Sequence, residues 1–241
     1  MSKAVLYSVE AGVATIRLSR PEARNALNLA MCDELVVAAN AATGDPSVKL
    51  VLVRAAGSAF CAGADLKERQ GMDATQVRSR RIKGFDAYAA LEALPMPVVA
   101  VVEGAAVGSG CEIAAACDFI IATPAASFRT PEAIRGTVGA TQRLARVLGK
   151  RLAKDMMYTG RTLSAGEALA HGLVSRLVAP EDLEATVASI VKAITEAPPQ
   201  SLRLAKRTID RGVELDPQGA LAAEIEAIEE QLASGQWMGK P

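Results

Sequence analysis

A chain of 241 residues, half of them hydrophobic and only 3% aromatic, has the composition of a close-packed α/β core, alone or with a small appendage. Lys and Arg total 27, as do Asp and Glu, so no net field draws the chain to nucleic acid or to an anionic membrane. The four cysteines (Cys32, Cys61, Cys111 and Cys117) lack CxxC or zinc spacing, and the single histidine, His171, excludes a His-rich metal site. Small core thiols, no metal and a reducing compartment are therefore expected.

In chain order, "AVLYSVE" and "GVATIRLS" alternate around Ala11-Gly12 and predict a β-hairpin. The opening segment has no basic start followed by a continuous apolar run, so no leader is expected. "NLAMCDELVVAANAAT" predicts a helix that stops near Gly44-Asp45-Pro46. "VKLVLVRA" predicts a buried strand, followed by the small-residue turn "AGSAFCAGAD". Residues 73–94 predict a mostly helical, polar connection. "PVVAVVEG" predicts a second buried strand, then the turn "AAVGSG" and a helix at "CEIAAAC"; "DFIIAT" predicts a third strand. Such β-branched runs are too apolar for a one-faced sheet and predict parallel or mixed sheets with helices on both sides.

Beyond Gly139 the pattern turns helical, with "ATQRLARVLG", "KRLAKDMMYTG" and "SAGEALAHG" followed by a short strand in "LVSRLVA". His171 precedes a glycine at the end of the third of these, a helix-capping position. From Pro180 three more helices are predicted, broken at Pro198-Pro199 and between Gly212 and Pro217. The natural division is a core over residues 1–197 and a helical oligomerisation region over 198–241, whose apolar stripe needs a second surface. No segment approaches about 18 consecutive apolar residues, so no membrane span is expected and the cytoplasm is the default location.

The chemistry concentrates in "SGCEIAAACDFIIATPAASFRTPE", which places Glu112 in an apolar run and Glu132 directly after Pro131. Each alone also reads as a capping or solvated glutamate. Buried carboxylates are expensive, however, and are usually paired or used. Two turns, Phe60 to Arg69 and Gly104 to Glu112, each follow a strand, consist largely of small residues and open a helix. Small residues admit a ligand close to the backbone, and the first amides of a helix lack acceptors. Together the two turns can aim one N–H each at a single oxygen, the geometry of an oxyanion hole. Neither is a phosphate loop, because both GxxxxGK[ST] and GxGxxG are absent.

"RPEARNAL", "FCAGADLKER", "EGAAVGSGCEIAAACDFIIAT", "PEAIRG", "TQRLARVLG" and "TGRTLSAGEALAHGLVSRLV", in this order and spacing, resemble the enoyl-CoA hydratase/isomerase (crotonase) family over about residues 17–230. Within it, "FCAGADLKER" and "SLRLAKRTIDRGVELDPQGALAAE" look most like methylglutaconyl-CoA hydratases. The resemblance implies a crotonase-like spiral of ββα turns with a C-terminal helical trimerisation region. It further implies a homotrimer or a dimer of trimers, and an acyl-CoA thioester as substrate with no separate cofactor. The family's oxyanion donors fall on the backbone amides of Ala64 and Ser109, and its acid/base pair on Glu112 and Glu132, twenty residues apart. Its coenzyme A contacts fall around Arg24, Ala26, Ala62, Ala64, Asp65, Leu66 and Lys67, with Ser109 at the acyl end.

Three departures from the resemblance stand out. Ser109 replaces the usual glycine. The loop after Glu132 reads "GTVGATQRL", three residues shorter than the hydratase pattern GTxPGxGGTQRL. The chain stops at "SGQWMGKP" where relatives continue into a final helix. Hydration of a 2-enoyl-CoA is the expected reaction. Isomerisation, decarboxylation or thioester hydrolysis are the alternatives within the family, and a scaffold with a disabled site is another. A glycoside hydrolase built on two carboxylates would want aromatic sugar platforms, and one Trp with three Tyr does not supply them. Asp118 is expected to hydrogen-bond nearby backbone, and Arg203, Lys206, Arg207 and Arg211 to form a solvated helix face.

Overall fold

In the computed structural model, which describes residues 3–235, Ala11 (φ 47°) and Gly12 (φ 81°) both take the left-handed conformation. That is the two-residue turn whose twist matches its flanking strands, so β1 (Val5–Glu10) and β2 (Val13–Leu18) pair antiparallel with Glu10 opposite Val13. The closing residues 236–241, which include most of "SGQWMGKP", lie outside the described residues. Helix α1 (Leu29–Gly44) opens at Asn28, whose side-chain oxygen accepts from the Met31 amide.

Three strand pairs follow: β3 (Leu50–Ala55) with β4 (Ala59–Cys61), β5 (Val98–Val102) with β6 (Ala105–Val107), and β7 (Phe119–Ala122) with β8 (Ser127–Arg129). The first strand of each pair joins the sheet begun by the hairpin, in the order β1-β2-β3-β5-β7, and the second joins another sheet, β4-β6-β8. Helices α2 (Ala74–Glu92), α3 (Ser109–Ala115) and α4 (Arg143–Thr159) come after β4, β6 and β8 respectively. Each repeat thus climbs one strand in both sheets, which is a spiral of ββα turns. Strand β9 (Thr162–Ser164) runs antiparallel to β8, and α5 (Ala165–Ala170) leads to β10 (Arg176–Leu177), which closes the first sheet beside β7.

The apolar runs have two faces because the first sheet has two covers. Val51, Val53, Val98 and Ala100 point into the main core with Phe60, Phe128, Met31 and Leu35. The alternate residues Leu50, Leu52, Val99 and Val101 pack instead on Leu183, Val187 and Ile190 of α6 (Leu183–Glu196). Pro198 separates α6 from α7 (Pro199–Gly212), which packs against α8 (Pro217–Ala233).

The expected turns "AGSAFCAGAD" and "AAVGSG" contain β4 and β6, and β8 lies in a stretch with no assigned element. Three residues give too little alternation to register as a strand, and alanine and cysteine carry little strand preference. The two helical segments expected around Gly149 form one element interrupted there, since Gly149 (φ 74°, ψ 158°) leaves the helical region. Asp118 accepts from the Val98 amide at 2.7 Å, as expected, and also pairs with Lys206 at 2.9 Å. Arg203, Arg207 and Arg211 are exposed, as expected of a solvated face, and Arg207 and Arg211 also pair across to α8, with Glu230 at 2.5 Å and Glu226 at 2.7 Å; Lys206 departs from it, its side chain largely buried against Asp118.

Candidate active site

The site is built where α3 meets the second sheet. Gly110 lies so close to β4 that a Cβ there would collide with the carbonyl of Cys61. Glycine is the residue that permits this approach, and it sets the start of α3 beside the chain leaving β4. On that chain Ala64 bridges Leu27 in a parallel arrangement: the Leu27 amide donates to the Gly63 carbonyl and the Asp65 amide to the Leu27 carbonyl, each at 2.8 Å. The bridge therefore uses the Gly63 carbonyl and the Asp65 N–H and leaves the Ala64 N–H out. Ser109, first residue of α3, carries one of the helix's orphan donors. Among the described residues neither the Ala64 nor the Ser109 amide has a hydrogen-bond acceptor, and both residues line one cavity of about 370 Å³.

Glu112 and Glu132 line the same cavity. Glu112 follows Ser109 by one helical turn, and its side chain is only 6% exposed. Glu132 caps a short 3₁₀ turn over Ala133–Arg135. Its carboxylate packs over Gly108, where any Cβ would collide with it and where φ is +51°. One oxygen of each carboxylate, Oε1 of Glu112 and Oε2 of Glu132, is buried without a hydrogen-bond partner. Burial pushes both carboxyls above their ordinary value. For Glu112 the Arg143 guanidinium pulls part of the way back, and Glu92 adds to the rise. For Glu132 its own backbone amide offsets some of the rise, the neighbouring Glu112 adds to it, and Arg135 and Arg81 pull back weakly. Two unpaired carboxylate oxygens in one partly apolar cleft that two unused amide donors also line can exchange protons with a substrate whose carbonyl oxygen takes up charge.

The cavity walls are Leu27, Leu66, Val77, Phe85, Tyr88, Val107 and Val138, with Arg69, Arg81 and Arg135 among its polar residues. The Ser109 side chain lies against the Tyr88 phenol, whose ionisation burial suppresses. Of the expected coenzyme A contacts, Ala62, Ala64 and Leu66 line the cavity, whereas Arg24, Ala26, Asp65 and Lys67 do not. These four belong to the two chain segments that flank it, tied together where the Ala62 amide donates to the Arg24 carbonyl at 3.0 Å. Asp65 has its side chain committed within the fold. It accepts from the Lys67 and Glu68 amides and pairs with Arg20 at 3.0 Å. Arg24 and Lys67 are exposed.

Two residues with a part in the site escaped the sequence reading. Asn25 is fully buried in a left-handed conformation (φ 53°). Its side chain accepts from the Arg20 amide at 2.8 Å and donates to the carbonyls of Ala56 at 2.7 Å and Ala59 at 2.8 Å, which pins the segment that holds Leu27 against Ala64. Arg143 pairs with Glu112 at 2.9 Å and with Glu92 at 2.6 Å. Both lie inside quoted motifs, "RPEARNAL" and "TQRLARVLG", but polar residues in a loop and at a helix start look the same whether they face water or a buried site.

A spiral of ββα turns with two free amides over a glutamate pair defines an acyl-thioester type of site, and comparison with known proteins makes the class specific. Residues 8–237 match the family model described as enoyl-CoA hydratase/isomerase, and the chain belongs to that family. It is 38% identical to the short-chain-enoyl-CoA hydratase of Clostridium acetobutylicum, over 94% of this chain and 88% of that protein. It is 36% identical to the crotonyl-CoA hydratase of Syntrophomonas wolfei, over 93% and 88%. Among solved structures, the enoyl-CoA hydratase of Bacillus anthracis superposes with a TM-score of 0.90 at 37% identity, covering 94% of this chain and 90% of that one.

Proposed function

We propose that the chain is an enoyl-CoA hydratase, a hydro-lyase that adds water across the double bond of a 2-enoyl-CoA to give the 3-hydroxyacyl-CoA. The observation that carries this reading is the pair of buried, partnerless carboxylate oxygens of Glu112 and Glu132 in the cavity that Ala64 and Ser109 also line. The thioester carbonyl oxygen accepts from the Ala64 and Ser109 amides. Attack of water at the β-carbon moves the π electrons onto that oxygen, and the two amides stabilise the resulting enolate. One glutamate takes a proton from the water as its oxygen bonds to the β-carbon. The other gives a proton to the α-carbon as the carbonyl re-forms.

Coenzyme A enters and leaves as part of the substrate, so the reaction needs no cofactor and no metal. The segments over 24–27 and 62–67 are the proposed cradle for its adenosine and phosphate end, with backbone groups of Ala26, Ala62, Asp65 and Leu66 in contact and Arg24 and Lys67 as exposed cations. The walls around Val107 and Val138 take the acyl chain. A trimer or a pair of stacked trimers is supported by the apolar side chains that α7, α8 and their connection expose: Ile209, Val213, Leu221, Ile225, Ile228 and Leu232. Four buried, free cysteines support a reducing, cytoplasmic location, and no described helix is long and apolar enough to cross a membrane.

A screen of saturated, unsaturated and carboxylated acyl-CoA esters tests the reading, following loss of the conjugated thioester absorbance and release of free thiol. Loss of conjugation without thiol is expected. Thiol release would replace the hydratase with a thioester hydrolase, and binding without turnover would leave only a scaffold.

A further inference from the structure

We propose that Arg143 is a positioning residue for the reaction, fixing the Glu112 carboxylate by one oxygen and favouring its ionised form while the other oxygen is left to the cavity. The proposal rests on the hydratase reading and assigns a role to a side chain outside the cavity lining.

The geometry is one-sided. The guanidinium of Arg143 places Nη1 at 2.9 Å from Glu112 Oε2 and directs Nη2 at 2.6 Å to Glu92 Oε2. Its plane lies over the Tyr88 ring with Cζ at 5.7 Å from the centroid, and its side chain is 17% exposed. Ion pair, second carboxylate and aromatic face together hold one planar fork in place, and the positive charge beside Glu112 is the part of this that lysine would keep. With Oε2 engaged, Glu112 has Oε1 left for the cavity, buried and without a partner. Glu132 has no such cation in contact: among the described residues no side chain bonds its carboxylate, and the Thr137 hydroxyl reaches only its backbone carbonyl, at 3.4 Å.

The charged and titratable groups facing Glu112 are few. Glu92 and Tyr88 come from α2, the Cys111 thiol, which burial keeps protonated, from α3, Arg143 from α4 and Glu132 from the turn after β8. Arg81 and Arg135 act on Glu132 from further away. Arg143 is thus the one cation bonded to either member of the pair among the described residues. Two carboxylates in one cleft resist being ionised together, so a cation on one of them decides which keeps the proton.

The route by which Arg143 reaches Glu112 is the shortened loop. Between the 3₁₀ turn and α4 the chain has only Gly136 to Gln142, and it passes Ala140 in the left-handed conformation (φ 53°), buried, before α4 starts. Gly139 packs on the Glu132 side chain, so a single short loop seats one glutamate and delivers the cation of the other. During hydration the water oxygen bonds to the β-carbon as its proton passes to one glutamate, and the other yields its proton to the α-carbon. The pair ends with the proton on the opposite member, and exchange with solvent after product release restores the starting state.

The test compares Arg143→Met, Arg143→Lys, Glu112→Gln and the double variant Arg143→Met/Glu112→Gln, using a short-chain 2-enoyl-CoA. Turnover is read across pH, and affinity for a saturated acyl-CoA is read by calorimetry. Arg143→Met is expected to lower kcat by about 10–100-fold, short of the ~10²–10⁴ for loss of an acid or base itself. It should move the acidic limb of the kcat/KM profile to higher pH while saturated acyl-CoA still binds. Arg143→Lys should keep the limb near its original position, and the double variant should be no worse than Glu112→Gln, because Arg143 acts through Glu112. An unmoved acidic limb in Arg143→Met, or losses that multiply in the double variant, would overturn the proposal. Near wild-type turnover in Glu112→Gln would fail differently, by removing the glutamate-pair mechanism beneath it.

Discussion

Glu132→Gln separates what the carboxylate does for catalysis from what it does to the fold. The substitution keeps shape and removes the ability to give up a proton, so turnover of a 2-enoyl-CoA should fall by about 10²–10⁴, equivalent to about 3–5 kcal/mol of barrier. Stability should move the other way. Burial raises the Glu132 carboxyl in the folded protein, its Oε2 has no partner and its neighbour is another carboxylate. Below the ordinary carboxylate range both folded and unfolded chains hold the proton, and wild type and variant should melt alike. As pH rises through the unfolded value and then through the raised folded value, wild type loses stability because the unfolded chain releases the proton more readily. Glutamine has no proton to lose. The melting temperature of Glu132→Gln should therefore pull ahead of wild type between acidic and neutral pH, at roughly 2–4 °C per kcal/mol for a chain of this size. Calorimetric scans across that range, with turnover measured on the same preparations, give both numbers. A gap in melting temperature that stays constant with pH, or a variant with near wild-type turnover, would refute the reasoning.

Ser109→Gly should keep activity and accept bulkier acyl groups, whereas Ser109→Pro should abolish turnover by removing the amide donor; steady-state kinetics over a series of acyl-CoA esters reads both. Asn25→Ala should destabilise the fold by about 3 kcal/mol, since two carbonyls and one amide lose their buried partner and alanine is strained at φ 53°; urea unfolding measures it. Light scattering at micromolar concentration should return a trimer or hexamer, and a stable monomer would show that the apolar faces of α7 and α8 do not mediate assembly.

The long elements were legible because each repeats a pattern over enough residues to be unambiguous. The hairpin follows from alternation around Ala11-Gly12, the buried strands from runs such as "VLVRA" and "VVAVV", and the helices from apolar spacing between Pro and Gly boundaries. Glu112 and Glu132 were legible as candidates because a carboxylate in an apolar stretch contradicts its surroundings, and contradiction is visible in one dimension. What the chain alone could not display is pairing between short segments. Strands β4, β6 and β8 have three residues each and exist because each finds a neighbour in the second sheet, a fact that lives in hydrogen bonds between distant residues. The same holds for the site. That the Ala64 amide is left over follows from its bridge to Leu27, and that Arg143 holds Glu112 follows from a loop that brings residues 31 apart into contact. Composition and periodicity determined which residues are buried and in which kind of element. The spiral decided which buried polar atoms meet and which are left without a partner, because hydrogen-bond satisfaction depends on distance and direction in space.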